Sequence, residues 1–213
     1  MKSLKSALIL YLLIFIIWTL YRYFFKFPEW ADEFIYKPLI MLLPVLFFIK
    51  IFEKNSLESI GITNKKFFKN VLIGLIAGIF ISFEAVMTNQ FKNGSITFNP
   101  ENLAGISLLI ASIIPFSTGF VEEAAFRGFF MNRFWQKFNN ELTANLLSTI
   151  LFVSLHLPIL LFIQKLNSYD LSTSLIQLFV LGAFDGYIFA RTKSITAPTI
   201  THGLWNLSAI LFR

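Results

Sequence analysis

Four acidic residues, Glu84, Glu122, Glu123 and Asp185, and both histidines of the chain, His156 and His202, fall inside long apolar stretches. A charged side chain at mid-bilayer costs about 2.5–3.5 kcal/mol on insertion scales, so such residues usually face a bundle interior and mark a functional site. Glu123 and Arg127 stand at i and i+4, on one helix face, where an ion pair offsets part of the cost of burying both. Glu122 is rotated by about 100° from Glu123 and is expected to point elsewhere, as the carboxylate with no ion-pair commitment. Such a glutamate suits general acid or base work. Phe152 and His156 share a face at i, i+4, as do His202 and Asn206. Two imidazoles, a carboxamide and a carboxylate gathered from three helices can hold a water, activate it and stabilise an oxyanion.

Such a constellation needs a scaffold, and the composition describes one. The 213 residues are 56% hydrophobic and only 14% charged, where a water-soluble domain carries about a quarter charged residues. The chain therefore reads as an all-α, polytopic transmembrane bundle with the site in its core. Runs long enough to cross about 30 Å of hydrocarbon occur at Ser6–Phe24, Phe34–Phe52, Val71–Phe91, Leu103–Phe134, Leu142–Gln164, Thr173–Ala190 and Ile195–Phe212. The fourth is too long for one straight span and contains Pro115. No linker, low-complexity tract or internal repeat divides residues 1–213, which are expected to form a single integral membrane domain. The absence of cysteine excludes a disulfide framework, a thiolate metal site and a cysteine nucleophile.

The basic residues set the expected orientation. With the N-terminus in the cytoplasm, the cytoplasmic segments hold Lys2, Lys5, Lys50, Lys54, Lys65, Lys66, Lys69, Arg127, Arg133, Lys137, Arg191 and Lys193, while the other face holds Arg22, Lys26, Lys37, Lys92, Lys165 and Arg213. This two-to-one bias obeys the positive-inside rule and accounts for the net charge of +6 without a nucleic-acid partner. Richness in Phe, Ile, Lys and Asn points to a low-GC bacterium and a cell-membrane location.

The stretches EEAAFR (Glu122 to Arg127), FVSLH (Phe152 to His156) and HGLWN (His202 to Asn206), in this order on successive apolar segments, resemble the EExxxR, FxxxH and HxxxN motifs of the CPBP family. That family comprises the CAAX prenyl endopeptidases and the bacteriocin-processing and immunity proteins, also called Abi proteins. The resemblance covers about Leu103 to Phe212, and what precedes Val71 is only generically membrane-like. It implies intramembrane hydrolysis of a peptide bond in a membrane-associated or small hydrophobic peptide. In that scheme Glu122 activates water with help from His156, His202 and Asn206 stabilise the oxyanion, and Glu123, Arg127 and Phe152 support the site.

Members of this family are commonly called metalloproteases, and His156, His202 and Glu122 would make a ligand set for zinc. Glutamate with histidine can also activate water unaided, and both mechanisms stand at this point. Each residue has a plainer reading as well. Glu123 with Arg127 can be a structural ion pair, His156 can satisfy backbone groups freed by Pro158, and Asn206 can clasp a neighbouring helix. Asp185, between Gly182 and Gly186, reads as structural, and Glu84 has an open role. Two other classes compete with the protease: a non-catalytic immunity or regulatory protein of the same family, and a small transporter using the acids and histidines as a proton relay. The partners expected are a peptide or membrane-protein substrate and the lipid bilayer.

Overall fold

The computed structural model describes residues 2–98 and 108–212. Its helical segments are α1 (Lys2–Phe24), α2 (Glu29–Phe52), α3 (Phe67–Asn93), α4 (108–138), α5 (Glu141–Ile163), α6 (Ser168–Thr192) and α7 (Thr196–Leu211). No strand occurs among the described residues. The segments coincide with the seven expected spans, except that the opening residues of the fourth, 103–107, lie outside the described residues.

The long helices are apolar on both sides, and the two sides do different work. In α1, Ala7, Tyr11, Ile14, Trp18 and Tyr21 are buried, whereas Leu8, Leu12, Leu13, Ile16, Ile17 and Leu20 are exposed. Alternate steps of four and three keep the first set on one stripe facing the bundle. The outward apolar stripe is a surface for lipid rather than water.

Five segments, α1, α2, α3, α5 and α6, are long and apolar enough to cross a membrane. The other two are α4 and α7, which carry motif residues. Glu122, Glu123 and Arg127 interrupt the apolar run of α4. The 16 residues of α7 span only about 24 Å at 1.5 Å per residue. The polar groups and short length that weaken these two segments as spans are tolerable where neighbouring helices enclose them.

That enclosure depends on close approach. The short α7 lies chiefly against α3 and α4, and α5 lies against α6. At Gly74 in α3 an added Cβ would come 2.7 Å from the Ala197 carbonyl oxygen, and at Gly203 in α7 it would run into the Phe116 ring. Within α4 the helix continues past Pro115 without a break. From Ala124 to Met131 it is wound wider, with i→i+5 hydrogen bonding, a local form frequent at functional sites.

The end of the bundle next to the α2–α3 connection is tied shut. Gly61 accepts a backbone bond from Ile195 at 3.0 Å, Asn132 Nδ2 donates to Ser59 O at 3.2 Å, and Arg133 pairs with Glu53. Just inside that end, Phe126, Phe129, Phe130 and Met131 are all 2% exposed or less. Tyr11 fastens α1 to α5 by donating to Leu151 O at 3.0 Å.

Candidate active site

The side chains of α4, α5 and α7 meet in one place. Glu122, Glu123 and Arg127 come from α4, Phe152 and His156 from α5, and His202 and Asn206 from α7. Glu122, Glu123, Arg127, Phe152 and His202 are buried. Glu122 Oε2 stands 3.6 Å from His202 Nε2 and 3.8 Å from His156 Nε2. His156 Nδ1 lies 2.9 Å from the Phe152 carbonyl oxygen. Because a carbonyl can only accept, Nδ1 carries the donated hydrogen and Nε2 of the neutral ring turns a lone pair toward Glu122. The carbonyl it bonds is the one four residues back in its own helix, not the Ser154 carbonyl that Pro158 leaves without a donor, and the bond fixes the ring for its contact with the glutamate.

The expected Glu123–Arg127 pair is present at 3.0 Å and fully buried. The same carboxylate oxygen lies 2.9 Å from His202 Nδ1. Arg127 also donates to Gly182 O at 2.8 Å, and its guanidinium lies 4.5 Å from the centre of the Phe152 ring. The Phe152 ring in turn sets its edge or face against both imidazoles, with centroids 4.6 Å from His156 and 5.7 Å from His202. Phe152 is thus the apolar floor on which the charged groups are arranged.

Two sequence expectations change. Glu122 is not free of ion pairing: its Oε1 lies 3.0 Å from Nζ of Lys37, a buried residue of α2. Helical periodicity relates residues within one segment, and it could not bring Lys37 to Glu122. Asp185 stands beside a tight helix crossing, but the close approach is made at Gly186, where the side chain of Asn145 fills the space a Cβ would need, and neither Asp185 oxygen has a hydrogen-bond partner. It faces the site instead, with Oδ2 at 3.5 Å from His202 Nδ1. Its own place in the small-residue stretch GAFDG gave the structural reading, and the histidine contact comes from another helix. Glu84 has a definite position as well, accepting from Trp205 Nε1 at 2.8 Å and Thr88 Oγ1 at 3.0 Å.

Glu123, Asp185 and His202 form a buried group that could hold a metal ion, with one ligand atom from each lying within 4.8 Å of the others. Glu123 and Asp185 here take the places expected for Glu122 and His156. The donor chemistry fits a divalent ion, and Glu123 Oε2 and both Asp185 oxygens are buried without a hydrogen-bond partner. Arg127 is the competing cation on this group.

A cavity of about 390 Å³ reaches the cluster, with Glu122, His156, His202 and Asn206 in its lining. Its outer wall includes Glu29, Asn89, Gln164 and Ser174, which lie near the ends of α2, α3, α5 and α6 on the side opposite the N-terminus. A second void of about 30 Å³ touches Arg22, Lys37, Glu122 and His156, the volume of a single water molecule.

A helical membrane bundle with a glutamate, two histidines and an asparagine at the inner end of an open cavity has the parts of a hydrolase. Residues 104–208 match the model of the Rce1-like family, type II CAAX prenyl endopeptidases, and this motif-bearing part of the chain belongs to that family. No curated protein and no solved structure matches the chain. Together with the apolar helices, the match supports a multi-pass membrane protein whose motif-bearing part is, at the family level, of the CAAX protease type.

Proposed function

We propose that the chain is an intramembrane endopeptidase that hydrolyses a peptide bond of a membrane-associated or small hydrophobic peptide, with Glu122 as the water-activating base. The observation that carries this reading is the position of Glu122 Oε2 between the Nε2 atoms of His202 and His156, at 3.6 and 3.8 Å, at the inner end of the cavity. Glu122 Oε2 and His156 Nε2 both accept, so neither can donate to the other, and a water with two O–H groups suits the pair. As the water oxygen attacks the scissile carbonyl carbon, its proton passes to Glu122. Asn206, one turn from His202 on α7, donates to the resulting oxyanion from its side-chain amide; His202, whose Nδ1–H is held by Glu123, joins it only with a second hydrogen, on Nε2. Collapse of the tetrahedral species breaks the C–N bond while Glu122 returns the proton to the leaving amine. Glu123, Arg127 and Phe152 hold the two imidazoles in place.

A zinc ion is the second activator that this donor set accommodates. Glu123, Asp185 and His202 would hold it, and when bound it would supply a positive charge that neutralises the two carboxylates and fixes the His202 ring. The glutamate reading is preferred because Glu122 faces the cavity from outside that group.

The test compares wild type with Glu122→Gln in proteoliposomes, using a fluorogenic CAAX peptide with and without a prenyl group and checking thermal stability in parallel. Glutamine keeps the shape and removes the base. Loss of cleavage at unchanged stability supports the assignment. Full cleavage by the variant sinks it, and a wild type inert toward both peptides that still protects cells against a bacteriocin points to the immunity role.

A further inference from the structure

From the position of α2 we infer that Lys37 is a positioning residue of the catalytic centre, holding one oxygen of Glu122 so that the other is delivered to the imidazoles; the inference rests on Glu122 being the base. Lys37 lies outside residues 104–208, the segment that matches the family model. It is nonetheless buried against the site, with Nζ at 3.0 Å from Glu122 Oε1 and 2.5 Å from Glu33 Oε2. The Glu33 oxygen also accepts from Thr118 Oγ1 at 2.5 Å. Thr118 stands one turn before Glu122 on α4, and Glu33 one turn before Lys37 on α2. The four residues form a closed polar bracket between two helices, and all four line the cavity.

The bracket has a geometric consequence. A glutamate carboxylate turns about its last torsion with little preference, so an unrestrained Glu122 presents either oxygen to the water. An ammonium on Oε1 removes that freedom. Oε2 is then the oxygen directed at His156 and His202, and it has no hydrogen-bond partner of its own. Glu33 and Thr118 fix the ammonium in turn, since a lysine on a four-carbon stem has no orientation unless its donors are engaged. Removal of the lysine charge would also leave Glu33 and Glu122 as two buried carboxylates without their shared cation.

A purely structural lysine and a positioning lysine differ in measurable ways. The experiment measures kcat and KM on the fluorogenic CAAX peptide in proteoliposomes for wild type, E122Q, K37M, K37R, K37A and the double variant K37M/E33Q, with thermal unfolding recorded for each. Positioning predicts that K37M and K37M/E33Q lose about a hundredfold or more in kcat, the scale of a misplaced catalytic group, while KM stays within about threefold. Arginine keeps the charge but has a longer, planar head, so K37R loses about tenfold in kcat. Added ethylammonium restores kcat to K37A and has no effect on E122Q.

K37M folded with kcat within about threefold of wild type overturns the inference, as does K37A that is folded and insensitive to the amine. If the neutral variants do not fold, K37R decides alone: a tenfold fall in kcat at unchanged KM supports positioning and an unaltered kcat overturns it. An active E122Q overturns the underlying assignment of the base instead, which keeps the two failures apart.

Discussion

His202 Nδ1 and Arg127 Nη1 converge on one oxygen of Glu123, at 2.9 and 3.0 Å. The carboxylate therefore orients an imidazole and neutralises a guanidinium at once, with all three groups buried. Removing one partner of a buried pair costs about 3–5 kcal/mol because the other charge remains without compensation. Arg127→Met is expected to lower stability by about that amount, and Glu123→Gln somewhat less, since an amide oxygen still accepts from Arg127. The double variant should recover part of the loss, which thermal unfolding in detergent measures as a coupling energy.

Trp205 and Glu84 make a separate clasp between α7 and α3, through the 2.8 Å bond from the indole N–H. Glu84→Ala leaves that N–H without its acceptor and should cost about 1.5–3 kcal/mol, the range for a hydrogen bond to a charged group. The change should appear in tryptophan fluorescence and in the unfolding midpoint, with a smaller effect on kcat than any change at Glu122.

Metal dependence is decided by composition and by inhibition. Under the glutamate mechanism, dialysis against a strong chelator leaves cleavage intact and elemental analysis finds less than one transition metal per chain. If instead a stoichiometric metal is found and Asp185→Asn removes it together with activity, the group of Glu123, Asp185 and His202 is the activator, and the role given to Glu122 alone is wrong.

Orientation is accessible because the chain has no cysteine. A cysteine placed at Ser168, beside the cavity mouth, should react with a membrane-impermeant maleimide in intact cells. One placed at Lys66, on the face with the larger share of lysine and arginine, should react only after the membrane is opened. The reversed pattern would turn the molecule over and place the mouth in the cytoplasm.

How much of this was legible in the sequence depends on the distance over which each relation acts. The Glu123–Arg127 pair and the close packing around Gly186 are helical-period relations and were readable from spacing. So were the seven apolar segments, because membrane thickness fixes their length. The Lys37–Glu122 pair was not readable, since nothing in α2 marks which of its faces meets α4. Asp185 was read by its small neighbours in the chain, while its contact with His202 arises only once α6 and α7 are packed. The motifs located the reacting groups, and the counter-charges around them come from tertiary packing.

The base beneath the site is filled with phenylalanine. Phe126, Phe129, Phe130 and Met131 are buried there, so among the described residues apolar side chains fill the ground just below Arg127 that an ion relay from one side to the other would have to cross. Under the proposed peptidase reading, both products form at the inner end, and the way out that the lining marks is the side of Glu29, Asn89, Gln164 and Ser174.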